Sequence, residues 1–99
     1  MKNKENLISK FNLGEVVQTQ KVSEARKKTQ FNEEVERCLE RYCQADFSDM
    51  SQEDIELNNL AILNGYDRIV GTYNTSLGKI HIITESDRSR TTIAFADEY

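Results

Sequence analysis

The chain has 99 residues, 37% hydrophobic and 30% charged, with no proline and a net charge of −4. This length predicts one domain with a modest core, and the composition is typical of globular rather than disordered proteins. No apolar run exceeds four residues and the first residues lack the apolar stretch of a signal peptide, so no membrane contact and a cytoplasmic location are expected.

The first third of the chain predicts one strand and one short helix. Residues 1–10 show weak periodicity and are predicted as either a frayed extension or a short helix, with residues 11–99 forming a single α+β domain. β-Branched residues after a glycine predict a strand at about 15–20. Residues 22–28 predict a short helical turn that Ser23 could cap.

Two longer helices are predicted in the middle of the chain. Apolar residues at a 3.6-residue period predict a helix over 32–43, capped by Asn32. They are Phe31, Val35, Cys38, Leu39 and Tyr42. After a loop at 44–50, a second helix begins at Ser51 and ends at Gly65. Its apolar residues are Ile55, Leu57, Leu60, Ala61 and Leu63.

From residue 66 onward the apolar period changes from 3.6 to 2, which predicts strands. They are expected at 67–74, 79–84 and 90–96, with a hairpin turn at 75–78 and a polar connection at 85–89. Together the elements predict an α+β two-layer sandwich. Its antiparallel sheet has three to four strands, with the first strand added at an edge and two main helices on one face.

Charge is distributed unevenly along the chain. Residues 1–30 carry a balance of +4, residues 31–67 carry −8, and residues 68–99 are neutral. Such an acidic block favours a partner with a basic surface, while a solvated helix face is the alternative interpretation. The candidate partner-binding residues are Glu33, Glu36, Glu40, Asp46, Asp49, Glu53, Asp54 and Glu56.

The residues needed for common catalytic or metal sites are scarce. His81 is the single histidine, and Cys38 and Cys43 lack the spacing of a zinc site or a local disulfide, so we predict no catalytic, cofactor or metal site. We interpret His81 and Cys38 as packing residues, whereas the role of Cys43, near the helix end, is left open. The carboxylates of the predicted structural loop, Asp67, Glu85 and Asp87, leave a small metal-dependent nuclease as one alternative. Arg88 is expected to neutralise them and to fix the strand ends.

A second alternative is single-stranded nucleic-acid binding. Arg88 and Arg90 flank the loop and Tyr66 and Tyr73 lie on the neighbouring strand, and basic groups beside aromatic rings can hold unpaired bases. The neutral charge of residues 68–99 makes this the weaker prediction.

Several stretches resemble one family of small proteins carried on plasmids, integrative elements and phages of Firmicutes. They are FNLGEVV at 11–17, DFSD at 46–49, GYDRI at 65–69, GKIHIITESDRSRTTI at 78–93 and DEY at 97–99. His81, Ser86 and Phe47 stand where the family commonly has tryptophan. Members are labelled plasmid proteins or type I restriction subunit M, but 99 residues without a glycine-rich loop do not supply a methyltransferase cofactor fold.

The resemblance and the charge together imply a counter-defence protein of a mobile element. The expected function is non-enzymatic binding and inhibition of a host DNA-targeting nuclease, of the CRISPR type first and a restriction enzyme next, at a basic nucleic-acid-binding surface. An accessory nucleic-acid-binding protein of plasmid maintenance is the alternative. The partner is expected to be a protein rather than nucleic acid, and a homodimer is left open.

Overall fold

The computed structural model describes residues 9–98, so most of the predicted 1–10 extension lies outside the described residues. The described elements are β1 (Glu15–Gln18), α1 (Gln20–Ala25), α2 (Thr29–Cys43), α3 (Gln52–Asn64), β2 (Ile69–Thr75), β3 (Gly78–Thr84), β4 (Arg90–Phe95) and a final 3₁₀ turn at Ala96–Glu98. An α+β fold with two main helices packed on a four-stranded sheet is therefore confirmed.

The sheet has the strand order β1-β4-β3-β2, and its pairing differs from the prediction in one respect. Strands β2, β3 and β4 form the expected antiparallel meander. β1 joins the β4 edge, as expected, but runs parallel to β4, so the sheet is mixed rather than antiparallel. Between β1 and β4 the chain passes through three helices and two strands, and a connection of this length permits parallel pairing, whereas a tight hairpin does not.

The helix starts also differ from the sequence prediction. α2 begins at Thr29, so Asn32 is not its cap; the Asn32 Oδ1 accepts a hydrogen bond from Arg26 Nε at 2.7 Å. α1 is capped by Thr19 rather than Ser23, through the Val22 backbone N–H. The predicted ends of α3 are confirmed, because Ser51 caps its first turn and a left-handed glycine, at φ 80°, ends it.

The core lies between α2 and the sheet. The predicted apolar stripe of α2 is buried, and its aromatic residues contact the strands directly. The Phe31 ring stacks on Phe95 with centroids 5.5 Å apart. Tyr42 lies over Gly71, where an added Cβ would be 2.6 Å from the tyrosine ring, so this strand position requires glycine. Burial of these large side chains is the main stabilising contribution to the fold.

α3 lies along the edge of β2, and the side chain of Asn58 bonds it to that strand. The buried Asn58 donates from Nδ2 to the Val70 carbonyl oxygen at 2.8 Å, and its Oδ1 accepts from the Val70 N–H at 3.1 Å. The amide thus occupies the hydrogen-bonding position that a further strand would take. Asn58 therefore covers part of the sheet edge and fixes the position of α3 along β2.

Candidate protein-interaction surface

Two of the eight predicted partner-binding carboxylates are neutralised by one arginine at the end of α2. Arg41 lies 3.0 Å from Asp46 through Nε and 3.1 Å from Asp49 through Nη1, and its Nη2 donates to Ser48 Oγ. Hydrogen bonds that Asp46 accepts from Arg41, and then from the hydroxyl and backbone N–H of Ser48, lower the pKa of Asp46 to about 2. The guanidinium also lies 5.0 Å from the centre of the Tyr73 ring. Asp46 and Asp49 therefore order the loop rather than present free charge.

The acidic residues of α2 are mostly engaged within the protein. Glu36 forms an ion pair with Arg26. Glu34, outside the predicted set, accepts from the backbone N–H and the hydroxyl of Ser76, and these bonds lower its pKa. Glu40 is half-buried, whereas Glu33 is exposed on the outer side of the helix. Only part of the predicted acidic surface is thus available on α2.

The acidic residues of α3 have a different environment. Glu53, Asp54 and Glu56 are all exposed in the first half of the helix, and α3 contains no lysine or arginine. Within residues 9–98, none of the three forms an ion pair with a cation. The helix dipole stabilises negative charge at the start of a helix, and all three carboxylates remain in contact with solvent. The available negative charge of the middle block is therefore concentrated here.

Exposed leucines continue this acidic face toward the end of α3. Leu57, Leu60 and Leu63 are 60, 52 and 81% exposed, although the sequence groups them with Ile55 and Ala61 in one apolar helix. Ile55 and Ala61 pack against the core. A helix with apolar residues on two sides gives no single stripe, so the pattern predicts the helix without showing which side is buried.

Glu53, Glu56 and the exposed leucines share one side of α3. Leu60 lies four residues after Glu56 and seven after Glu53, which places the three on neighbouring turns of the same face. Asp54 is also exposed but lies four residues before the buried Asn58, so it borders the core side of the helix instead. Glu53, Glu56, Leu57, Leu60 and Leu63 are hereafter called the outer α3 surface.

The predicted structural loop at 85–89 is built around Arg88, but through different contacts than expected. Arg88 adopts a left-handed conformation, and its guanidinium donates to carbonyl oxygens rather than to the carboxylates of Asp67, Glu85 or Asp87. Nη1 lies 2.6 Å from the Asp67 carbonyl oxygen, and Nη2 lies 2.8 Å from that of Ala61 in α3. One side chain thus joins the end of α3, the start of β2 and the loop. The Asp87 carboxylate accepts from the Ser89 N–H, and its pKa is lowered by hydrogen bonds from Ser89.

The FNLG segment docks on this loop, a contact that the sequence analysis missed. Gly14, at φ 63°, lies so close that an added Cβ would be 2.4 Å from the Arg88 and Ser89 backbone. The Glu15 N–H donates to the Ser89 carbonyl oxygen, and Thr91 Oγ1 donates to the Leu13 carbonyl oxygen at 2.6 Å. The FNLG segment and the loop at 85–89 therefore form one structural unit.

A buried row of hydroxyl groups extends this unit into the core. Thr91 Oγ1 lies 2.7 Å from Thr84 Oγ1, which lies 2.7 Å from the Tyr42 hydroxyl. Both threonines are fully buried, and burial raises the pKa of Tyr42. Because Thr91 donates its proton to Leu13, Thr84 donates to Thr91, and the Tyr42 hydroxyl donates its one proton either to Thr84 or to the Ile69 carbonyl oxygen at 3.2 Å. The row satisfies polar groups that would otherwise be costly to bury.

The residues named for single-stranded nucleic-acid binding and for a metal-dependent nuclease are not well placed for those functions. Tyr73 is 1% exposed and its hydroxyl donates to the Asp46 carbonyl oxygen, so its ring is closed to a stacked base. Among residues 9–98, no three histidine, cysteine or acidic side chains are arranged to hold a metal ion, and Asp67, Glu85 and Asp87 therefore form no such group. His81 Nδ1 lies 3.0 Å from Thr72 Oγ1, and burial lowers its pKa.

The two cysteines are free thiols within the packed interior. Cys38 and Cys43 are both buried on α2, and burial raises the pKa of each thiol. A raised thiol pKa means little reactive thiolate near neutral pH. The packing role of Cys38 was predicted from the sequence, whereas that of Cys43 was left open.

Comparisons with protein-family profiles, with curated proteins and with solved structures found no significant match to this chain. In the part of the chain that the structure describes, no helix combines the length and apolarity required to cross a membrane.

Proposed function

We propose that this protein acts by binding, without catalysis of its own, and that its target is a basic nucleic-acid-binding surface of a host DNA-targeting nuclease. An RNA-guided nuclease of the CRISPR type is the first candidate and a restriction endonuclease the second, both in the cytoplasm. The observation that carries the proposal is the exposed acidic start of α3, where Glu53, Asp54 and Glu56 form no ion pair with a lysine or arginine in the described part of the chain.

The contrast among the acidic residues supports this choice of surface. Glu36, Asp46 and Asp49 are already paired with arginines of the same chain, so a partner would have to break those pairs to use them. The three acids of α3 need no such exchange. Nuclease grooves that hold nucleic acid present lysine and arginine, and unpaired carboxylates in that groove compete with phosphates for the same side chains.

The family resemblance supports the class of target. DNA-targeting nucleases destroy plasmids, integrative elements and phages. A mobile element that carries the gene for an inhibitor is therefore protected. The resemblance covers both the FNLG segment and the loop at 85–89, which build the fold that presents α3.

DNA cleavage in the presence of the purified protein tests the proposal. A panel of RNA-guided nucleases and restriction endonucleases is incubated with target DNA, with and without the protein at micromolar concentration. We expect one class to be inhibited, with inhibition falling as salt rises, because the attraction between exposed charges is screened. If no nuclease on the panel is bound or slowed, the proposed function is wrong.

Charge-reversal variants locate the effect. The triple substitution Glu53→Lys, Asp54→Lys and Glu56→Lys is expected to abolish inhibition with the fold intact, since all three side chains are exposed. The matched control reverses three exposed acids elsewhere, Glu15, Glu24 and Glu85, and changes net charge equally. Inhibition should survive in the control. Equal loss in both variants would mean that net charge, not the α3 surface, is responsible.

A further inference from the structure

The exposed leucines of α3 distinguish its outer surface from a simple acidic patch. Of the five large apolar side chains that are exposed within residues 9–98, four fall between residues 57 and 66. Leu57, Leu60 and Leu63 span about 9 Å along the helix axis at 1.5 Å per residue. Scattered exposed leucines are ordinary, but three on one side of one helix form a contiguous patch, and such patches mark interaction sites.

We propose that the outer α3 surface docks as an amphipathic helix against the partner, with its leucines on an apolar patch that is bordered by lysine and arginine side chains. This inference rests on the proposed function and names the contact that anchors it. Helix recognition of this kind uses apolar anchors three and four residues apart, and charged residues beside them set orientation.

Charge decides between a basic partner and a second copy of this chain. α3 carries three acidic residues and no basic residue, and the block at 31–67 carries −8. Two copies joined through α3 would bring two acidic helices together, and such like-charge contact opposes association. An apolar patch bordered by lysine and arginine contacts the leucines and also pairs with the carboxylates. The two halves of the surface also have separate roles, since the acids attract the partner and the leucines slow its dissociation.

A synthetic amphipathic peptide provides the probe. The peptide has about 18 residues, enough for a helix in favourable sequences, with leucine on one face and lysine on the other. Binding is measured by fluorescence polarisation for the wild-type protein and for the variant Leu57→Gln, Leu60→Gln and Leu63→Gln. The substitutions leave the charge unchanged and keep residues that favour helices. Circular dichroism and thermal unfolding confirm that the variant is folded.

The wild-type protein is expected to bind the peptide, and the triple-glutamine variant to bind it at least about tenfold more weakly. Leu77→Gln is the matched control, because Leu77 is an exposed leucine in the β2–β3 turn and its loss should leave affinity unchanged. A scrambled peptide of the same composition should bind weakly to all three proteins. Absence of wild-type binding, or equal affinity of the wild-type and triple-glutamine proteins, would overturn the inference.

Sedimentation of the protein alone tests whether a second copy of this chain covers the outer α3 surface. Dimerisation that depends on concentration and disappears in the triple-glutamine variant would show that a second copy covers the leucines, which also overturns the inference. The nuclease assay keeps the two proposals separable. If the wild-type and triple-glutamine proteins inhibit a nuclease equally, the anchor is wrong but the function stands. If peptide binding behaves as expected and no nuclease is slowed, the function is wrong but the surface stands.

Discussion

Ala45 adopts a left-handed backbone conformation, φ 57°, immediately after the last residue that caps α2. The Asp46 N–H bonds the Arg41 carbonyl oxygen, and the Ala45 N–H bonds that of Tyr42, which together form a Schellman ending. Glycine is the usual residue at this position because a Cβ is unfavourable there. The chain therefore stores strain at one residue of a loop that also organises Asp46.

Substitution of Ala45 by glycine is expected to raise the free energy of unfolding by about 0.5–1 kcal/mol, since the strain of the left-handed alanine is removed. Urea denaturation measures the change. Ala25→Gly, at the end of α1, is the control, and there the same chemical change should lower stability by about 0.5–1 kcal/mol. If both substitutions destabilise the protein, Ala45 is not strained in solution.

Asp46 supplies a pH-dependent contribution to stability. Its pKa is about 2 in the folded protein, below the ordinary 3.8, so its ion pair with Arg41 contributes fully above about pH 4 and is lost as pH falls toward 2. The side chain is 41% exposed, and solvent screening limits the contribution to about 1 kcal/mol. We expect the stability difference between the wild-type protein and Asp46→Asn to shrink between pH 5 and pH 2. Parallel pH profiles in urea denaturation would contradict this expectation.

At the scale of elements, Arg88 holds together parts of the chain that share few other contacts. It bonds a carbonyl oxygen in α3, another before β2 and a third in its own loop. Carbonyl groups at a helix end need partners, and a guanidinium offers several donors in one plane. The orientation of α3, and with it the outer α3 surface, therefore depends on a residue that lies 27 positions after Ala61 in the sequence.

Substitution of Arg88 by alanine is expected to lower the free energy of unfolding by about 1.5–3 kcal/mol, the range for losing hydrogen bonds to a charged group. Arg90→Ala is the matched control, because Arg90 is exposed at the start of β4 and its loss should cost about 0.5 kcal/mol or less. Chemical denaturation measures both. Equal effects would mean that the Arg88 contacts with carbonyl oxygens contribute little in solution.

Most elements follow from local pattern, and the differences between prediction and structure arise from contacts between distant residues. The stripe from Phe31 to Tyr42 predicts α2, and the change of period at residue 66 predicts the meander. Neither pattern contains the parallel pairing of β1, the bond of Asn58 to Val70, or the contact of Gly14 with the loop. Each joins residues at least twelve positions apart, so no short window of sequence encodes it.

The candidate site was predicted only in part, for a related reason. Charge counts identify an acidic block, but the separation of paired from unpaired carboxylates depends on where Arg26 and Arg41 lie in space. The three leucines could not be placed either, because α3 has apolar residues on both its core side and its outer side. Composition thus predicts an acidic surface, while the folded chain determines which of its carboxylates are already paired.

At the scale of the whole molecule, the FNLG segment closes the fold by joining its first strand to its last loop. Gly14 touches the backbone of residues about 75 positions later, and β4 is the one described strand that pairs with β1. Gly14→Ala should therefore lower the free energy of unfolding by more than about 2 kcal/mol, because its Cβ meets backbone atoms and the left-handed conformation also becomes strained. Thermal and urea unfolding measure this cost.

The substitution Gly65→Ala separates the free-energy cost of a steric clash from that of left-handed backbone strain. Gly65 also has positive φ, but an added Cβ would meet nothing within 4 Å, so this substitution should cost about 1–2 kcal/mol from backbone strain alone. A larger effect at Gly14 would show that the close approach of the FNLG segment and the loop at 85–89 stabilises the whole domain. Equal effects at the two glycines would mean that the first strand can move away from the loop without loss of the fold. In that case the loop and Arg88 alone would maintain the position of α3.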